Sequence, residues 1–220
     1  LRKRIKSNIM HKFTDIRMAV ISLAILVSVS CTEKLERDWK QFEPYTENFN
    51  LTEIDADGNE YLEVSAVKSI SKSDVEKYVI GNGWKSVAVY ELDKNKDVAR
   101  VWELKDDLPL INEQTLHDCF EVKGFGENQL IQYGLLDGRY EDLDFAYDEN
   151  DNSISLDACL FVAHNGKLVF LSDDVMVCVD GKEWVAEGRN PYVFMVVFEK
   201  VSKSTLKEWR KKCPDPRLWI

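Results

Sequence analysis

The sequence predicts a mainly β domain: an antiparallel meander that forms a barrel or a sandwich, with one short helix before the sheet and one at the C-terminus. Short runs of β-branched and aromatic residues recur between Trp84 and Val201, separated by turn-forming residues about every 8–12 positions. Helical apolar spacing is confined to two places, around Val75 and around Leu206. This pattern is typical of a small barrel or sandwich with two accessory helices.

The chain opens with a basic stretch followed by an uncharged run. Met18–Val29 carries no charge over 12 residues, which is too short for a spanning helix of about 20 residues and suits the apolar core of a signal peptide. Cys31 follows directly after Ser30. We expect residues 1–30 to be a signal peptide and Cys31 to be the lipid-attachment residue. The alternative is an ordinary signal peptide cut near Ser30. Met10 is a candidate translation start, which would leave residues 1–9 untranslated.

The charge balance excludes one large class of partners. Residues 1–31 hold six of the 29 basic and one of the 39 acidic residues, which leaves 23 basic against 38 acidic residues and a net charge of −15. An acidic surface of this size repels phosphate backbones, so nucleic-acid binding is not expected. Solubility explains the acidity without a bound cation, and we predict neither a metal nor a cofactor.

Four cysteines follow the predicted anchor. In an exported protein such cysteines can be oxidised to disulfides, and four cysteines allow three disulfide connectivities. No CxxC spacing of a zinc or redox site occurs among them. Cys159 and Cys178 lie in apolar runs and are best interpreted as small buried hydrophobic residues. Cys119 and Cys213 are left without an assignment.

The first elements after the signal are a tether and a hairpin. Residues 31–50 are charged and lack periodicity, so we expect them to hold the domain away from the membrane. Asp57-Gly58 then predicts a turn between Leu51–Ile54 and Tyr61–Val64. A calcium loop is rejected there because Val64 stands where the bidentate glutamate belongs.

One helix precedes the sheet. Ser73 and Glu76 have the spacing of a capping box, and Val75, Tyr78 and Val79 follow at helical intervals. Gly81-Asn82-Gly83 predicts the end of that helix.

The predicted strands then follow in order. Asn165-Gly166 indicates a two-residue hairpin loop in which Ala163 faces Leu168, Val162 faces Val169 and Phe161 faces Phe170. The strands are Trp84–Leu92, Val98–Leu104, Cys119–Val122, Gln129–Tyr133, Leu143–Tyr147, Ser153–Ala163, Leu168–Leu171, Val175–Val179, Glu183–Ala186 and Tyr192–Val201.

A second helix closes the domain. Ser204 is a candidate cap, Leu206 and Trp209 lie three residues apart on one face, and the basic residues after them suit the C-terminal end of a helix dipole. Pro214 and Pro216 end the helix. We therefore expect a β-rich domain over residues 51–213 and a tail over residues 214–220.

Two resemblances follow from these residues. Ser30-Cys31 after an apolar run resembles the lipid-attachment motif of Bacteroidetes-type lipoproteins. The helix, the Gly83-Trp84-Lys85 entry to the meander and the closing strand resemble the lipocalin-like domains of such lipoproteins, over about Ser71 to Val201. The resemblance implies an outer-membrane lipoprotein that faces the periplasm or the cell surface. It also implies a small up-and-down barrel that either encloses an apolar ligand or is filled with side chains.

The sequence contains no convincing set of catalytic residues. His117 and His164 are the histidines after the signal, and His164 lies at the predicted hairpin loop. His117, Asp118 and Cys119 are consecutive, and neighbours in a strand point to opposite faces, so they cannot form a nucleophile–base pair by themselves. No glycine-rich phosphate loop, GxSxG or HExxH motif occurs. The acidic cluster Asp137, Glu141, Asp142 and Asp144 has the chemistry of a glycoside hydrolase, yet acids are abundant throughout the chain.

Three functional classes therefore stay open. The leading one is a lipid-anchored, non-catalytic envelope protein that binds a small apolar ligand or a protein partner. The second is an envelope hydrolase, for example a carbohydrate-active one, that uses Asp142 and Asp144. The third is a structural or assembly protein of the cell envelope that pairs through an edge strand such as Tyr192–Val201.

Overall fold

The computed structural model describes residues 39–56, 59–104, 118–135, 138–156, 166–181, 191–215 and 217. The chain divides into two compact units, Leu1–Pro44 and Tyr45–Ile220. In the first unit residues 39–44 are described, and residues 39–42 are helical. The predicted signal peptide and Cys31 lie outside the described residues. The second unit contains all the elements discussed below.

The second unit has the predicted composition of elements. A 3-10 helix spans Glu43–Asn48 across the division, and two α-helices follow, α1 at Lys72–Tyr78 and α2 at Lys203–Lys212. The strands are β1 (Phe49–Ala56), β2 (Asn59–Ala66), β3 (Gly83–Leu92), β4 (Val98–Leu104), β5 (Cys119–Val122), β6 (Gly126–Gly134), β7 (Arg139–Asp148), β8 (Ser153–Leu156), β9 (Gly166–Leu171), β10 (Val175–Gly181) and β11 (Val193–Lys200). The mainly β fold with one helix before the sheet and one after it is confirmed.

Nine strands form one antiparallel sheet that closes on itself. The order is β11-β10-β9-β8-β7-β6-β5-β3-β4, and β11 also pairs with β3. Gly83–Lys85 pair with β5, whereas Ala88–Leu92 pair with β4, so β4 and β5 share one edge of β3. The ring of hydrogen bonds therefore passes through eight strands, and the sheet is a barrel.

The closing strand is not an edge strand. We expected Tyr192–Val201 to offer a free edge for partner binding, but β11 is hydrogen-bonded along its length to β10 on one side and to β3 on the other. That version of the assembly hypothesis is therefore wrong, because closure of the barrel occupies both rows of backbone groups.

The strand alternation defines an inner and an outer face. One apolar cluster collects residues from every strand of the ring, and only the barrel interior can bring them together. Its largest members are fully buried: Trp84, Phe120, Phe145, Phe198, Leu130, Ile154 and Leu156. Trp84 is fully buried, and so is Cys178, which confirms the interpretation of Cys178 as a small buried hydrophobic residue.

Both helix caps differ from the predicted ones by two residues. Ser71 rather than Ser73 caps α1 and accepts a hydrogen bond from the Asp74 amide at 3.1 Å. Ser202 rather than Ser204 caps α2 through the Thr205 amide, also at 3.1 Å. In each case two serines lie two residues apart, and the first of them has the extended backbone that a cap requires.

The β8–β9 connection also differs from its prediction. Ser153 faces Lys167 and Ile154 faces Gly166, so the two-residue Asn165-Gly166 loop is not the connection. The predicted pairing of Ala163 with Leu168 is incompatible with this register. The physical reason is length: β9 ends at Leu171, and a tight loop would leave most of β8 without a partner on that side. Residues 157–165, and the predicted strand Glu183–Ala186, lie outside the described residues.

The predicted hairpin is confirmed, and it packs on the outside of the barrel. β1 and β2 pair from Phe49 with Ala66 to Ala56 with Asn59, and β2 lies against β9 and β10. The second unit begins at Tyr45, and the Tyr45 ring packs 4.8 Å from the ring of Phe170.

Gly181 allows the hairpin to approach β10. A Cβ at this position would lie 2.3 Å from the Leu62 carbonyl oxygen, a backbone atom that cannot rotate away. We expect Gly181→Ala to lower the free energy of unfolding by about 2 kcal/mol through steric overlap, measured by urea unfolding. Gly124→Ala is the control, because its Cβ would meet the flexible Gln129 side chain at 3.0 Å. Equal effects of the two substitutions would contradict this account.

Candidate functional site

The interior of the barrel is the candidate functional site, and its two ends differ. At the end where β3 begins, α1 covers the opening with Val75 and Val79, which join the interior cluster. The indole Nε1 of Trp84 lies 3.5 Å from the Val79 carbonyl oxygen, within hydrogen-bonding distance. This end is therefore closed and filled by apolar side chains.

The opposite end carries buried acids. Phe194 on β11 faces Glu91 on β3 and Asp180 on β10, and directly opposed residues of antiparallel strands share one face. Because Phe194 belongs to the interior cluster, both carboxylates lie on the inner lining. Glu91 is 3% exposed and Asp180 is 8% exposed. We call Glu91, Phe194 and Asp180 the acidic rim.

Two aromatic rings lie at the acidic rim. The Tyr192 ring meets the Phe194 ring edge-on at 5.4 Å, and Tyr192 packs against the interior cluster. Carboxylates beside aromatic rings suit a ligand with an apolar body and a hydrogen-bond-donating or cationic end. They disfavour a fatty acid whose carboxylate would enter at this end, because like charges repel.

Ser86 is a second polar group on the inner face, and its role is structural. It faces Phe198 and is fully buried. Its hydroxyl accepts from the Asp118 amide at 2.9 Å, and the Ser86 amide donates to the Asp118 carbonyl, also at 2.9 Å. These bonds hold β3 at the point where its neighbour changes from β5 to β4.

The catalytic candidates from the sequence are not brought together. Cys119 is buried on the outer side of the wall, among residues that contact α2. Asp142 faces Ile131 of the same outer side, and its carboxylate is bound by the Arg217 guanidinium at 3.0 Å. Asp144 accepts a hydrogen bond from the Asn128 amide at 2.9 Å. His117, His164 and Asp137 lie outside the described residues, and Glu141 is exposed.

A cleft of about 460 Å³ lies outside the barrel, between the end of β2, the β7–β8 turn and the start of β9. Its polar groups bind one another: Lys167 Nζ contacts Asp151 Oδ2 at 2.5 Å and Ser153 Oγ at 2.7 Å. Asn152 makes side-chain hydrogen bonds to residues 68–70, to Tyr147 and to Leu168. These bonds hold the surrounding chain together, so the cleft is the weaker candidate.

The ion pair in this cleft predicts a pH dependence. The hydrogen bond from Lys167 and then that from Ser153 lower the pKa of Asp151 to about 2. A lowered carboxyl pKa stabilises the fold above the ordinary value near 4, and the stabilisation is lost as pH falls toward 2. We expect Asp151→Asn to cost less than about 1 kcal/mol at pH 7, since the carboxylate is 55% exposed.

Urea unfolding between pH 7 and pH 2 checks this prediction. The difference between the wild type and Asp151→Asn should shrink below pH 4 and vanish near pH 2. Lys167→Met is the reciprocal variant and should show a similar loss at pH 7. Parallel stability curves for the wild type and Asp151→Asn over the whole range would contradict the assignment.

The acidic rim was not among the sequence-based predictions, although the sequence contains a signal for it. Glu91 follows Val89 by two residues and Asp180 follows Cys178 by two, so each acid shares a face with a core residue. Acids on the buried face of a strand are uncommon, which marks them as candidates for a ligand site or an internal ion pair.

Within the described ranges, no group of three or more His, Cys, Asp or Glu side chains is arranged to hold a metal ion. No helix in the part of the chain that the structure describes is long and apolar enough to cross a membrane. No family model, curated protein or solved structure is significantly similar to this chain.

Proposed function

We propose that this chain is an exported, lipid-anchored, non-catalytic envelope protein whose barrel binds a small ligand. The observation that carries the proposal is the closed ring of strands with one continuous inner lining, apolar at the α1 end and acidic at the other. Barrels of about eight strands have room for side chains or for one small ligand. The barrel-like fold is compatible with the lipocalin-like resemblance.

Export and anchoring are supported by the sequence alone. The uncharged run Met18–Val29 and Cys31 directly after Ser30 suit a lipoprotein signal. The anchor would be the lipid on Cys31, and the domain would face the periplasm or the cell surface from the outer membrane.

The acidic rim narrows the chemistry of the ligand. Its carboxylates and the Tyr192–Phe194 ring pair favour a compound with an apolar body and an amine or other hydrogen-bond-donating end. The hydrolase alternative has less support, because Asp142 and Asp144 are engaged by Arg217 and by the Asn128 amide on the outer wall.

Native mass spectrometry tests the proposal. Residues 32–220, expressed with export and incubated with host envelope extract, should retain a mass of a few hundred daltons that denaturation releases. Asp180→Asn should reduce the retained fraction at least about tenfold if a cationic end is recognised. Asp173→Asn is the matched control. The Asp173 side chain is 71% exposed and forms an ion pair with Lys200.

A bare polypeptide mass from the wild type would overturn the ligand-binding proposal. It would indicate a barrel filled with side chains and would favour the structural or assembly role. Retention that Asp180→Asn leaves unchanged would contradict recognition at the acidic rim.

A further inference from the structure

Two buried cysteines, one on a strand and one at the end of a helix, belong to the same small apolar cluster. Cys119 on β5 and Cys213 at the end of α2 are 2% and 0% exposed, and the structure holds both as thiols. The cluster lies between α2 and the outer wall of the barrel. Its other buried members are Ile131, Tyr133, Leu206 and Trp209.

The strand register places the two cysteines beside adjacent residues of β6. Phe120 pairs with Gln132, so the next antiparallel step sets Cys119 opposite Tyr133. The Cys213 Sγ lies 3.5 Å from the carbonyl oxygen of Gly134, the residue after Tyr133. Directly opposed residues of antiparallel strands have Cα atoms about 4.5–5.5 Å apart, so Cys119 lies beside Tyr133. Both cysteines therefore lie within a few ångströms of the same short piece of β6.

Cys178 is excluded from this pairing by the barrel wall. It faces Val196 and Leu168 and belongs to the interior cluster, so its thiol lies on the other side of the sheet from Cys119 and Cys213. Cys159 lies outside the described residues. Among the described cysteines, only Cys119 and Cys213 share a face and a cluster.

We propose that Cys119 and Cys213 form a disulfide that fastens α2 to the outer wall of the barrel. Cys213 is the residue after the helix, with φ −121° and ψ 75°, so the chain there is free of the helical backbone geometry. The bond would close a loop that includes β5 to β11. A cross-link over so long a loop restricts the unfolded chain strongly.

The chemistry is a thiol–disulfide exchange with a disulfide-bearing oxidant. The thiolate of one cysteine attacks the oxidant and forms a mixed disulfide, releasing one thiol of the oxidant. The second thiolate then displaces the other thiol. Two protons and two electrons leave the protein, and the oxidant is reduced to two thiols. Because both sulfurs are buried in the folded protein, we expect the exchange to occur before α2 docks.

In cells this inference rests on the proposed export, because disulfides persist in oxidising compartments. The test with purified protein in a glutathione redox buffer does not depend on export. The two hypotheses can therefore fail separately.

The experiment is refolding of the denatured, reduced chain in a glutathione redox buffer, so that both thiols are accessible when the oxidant acts, followed by alkylation in denaturant and peptide mapping. We expect a mass lower by two hydrogens and a linked peptide pair that contains Cys119 and Cys213. Cys178→Ser should keep the bond and Cys213→Ser should abolish it. The melting temperature should rise by about 5 °C or more on oxidation of the wild type and of Cys178→Ser, and not of Cys213→Ser.

Two results would overturn the pairing: both thiols alkylated after oxidation, or linked peptides that join either cysteine to Cys178. The bond formed in vitro but absent from protein taken from the host would support the pairing and contradict the proposed export.

Discussion

Asn152→Ala should destabilise the protein by about 4 kcal/mol, the largest loss we expect from a single substitution. The Asn152 side chain donates to the carbonyl oxygens of Lys68 and Leu168, at 2.8 Å and 3.0 Å. It accepts from the Ile70 amide at 3.2 Å and from the Tyr147 hydroxyl at 3.3 Å. Each buried polar group left without its partner costs about 1–3 kcal/mol.

The backbone of Asn152 contributes a separate cost. Its φ of 58° is left-handed, a conformation that asparagine tolerates and alanine adopts at about 1 kcal/mol. Asn152→Gly removes the hydrogen bonds without that strain, so we expect a loss of about 3 kcal/mol. The difference between the two variants isolates the backbone term.

Asn128 offers a matched control for this series. It has the same φ of 58° and is exposed. Asn128→Ala should cost about 1 kcal/mol, and Asn128→Gly should be close to neutral. Urea unfolding followed by tryptophan fluorescence measures all four variants. An Asn152→Gly variant as stable as Asn128→Gly would show that the hydrogen bonds contribute nothing.

The hydrogen bonds of Asn152 also affect the closed end of the candidate site. Asn152 ties residues 68–70 to the β7–β8 turn and β9, and α1 begins directly after that segment. We therefore expect Asn152→Gly to increase hydrogen exchange in α1 before the strands are affected. The reason is that the segment before α1 loses its hydrogen bonds to Asn152.

The parts of the fold that could be predicted depend on local signals. Asp57-Gly58 predicted the β1–β2 hairpin, and the run from Trp84 to Leu92 predicted β3. Turn residues separate the strands so regularly that an antiparallel barrel or sandwich was the expected result. These features need only the two-residue period and the turn chemistry.

The errors came from contacts between distant segments. Both Ser71 and Ser73 are acceptable caps, and the amide of Lys72 donates to Glu149, 77 positions along the chain, at 2.9 Å. That bond fits a helix that already begins at Lys72 with Ser71 as its cap. In the same way, the β8–β9 register depends on the Asn152 carbonyl, which accepts from the Leu168 amide at 2.9 Å. A single sequence contains no sign of either partner.

The candidate site was hidden for a related reason. The acidic rim forms only when β3, β11 and β10 are paired in one register, and β-bulges interrupt the register of the β11–β3 and β3–β4 pairs. The position of a bulge is set by the closure of the barrel and is not written as a local motif. Glu91 and Asp180 are therefore recognised as neighbours only in the folded chain.

Arg210→Met should cost about 3 kcal/mol, because it leaves the buried carboxylate of Glu121 without its cation. Glu121 is 3% exposed on the outer wall and accepts from Arg210 Nε at 3.0 Å, from Arg210 Nη2, and from the Tyr133 hydroxyl at 2.8 Å. Removing one partner of a fully buried ion pair costs about 3–5 kcal/mol, and we expect the lower end of that range because the Arg210 side chain is 55% exposed and only the carboxylate is buried. Methionine keeps the apolar stem of the arginine, so packing is largely retained.

The double variant Glu121→Gln with Arg210→Met separates charge from packing. If the cost of Arg210→Met is an uncompensated buried charge, neutralising Glu121 should restore about half of the lost stability. Lys207→Met is the control, since this lysine is an exposed cation on the same helix, and we expect a change within about 0.5 kcal/mol. Urea unfolding gives the free energies, and hydrogen exchange in α2 shows whether the helix detaches first. An Arg210→Met variant as stable as Lys207→Met would mean that Tyr133 and water satisfy Glu121, and that apolar contacts of Leu206 and Trp209 alone hold the helix.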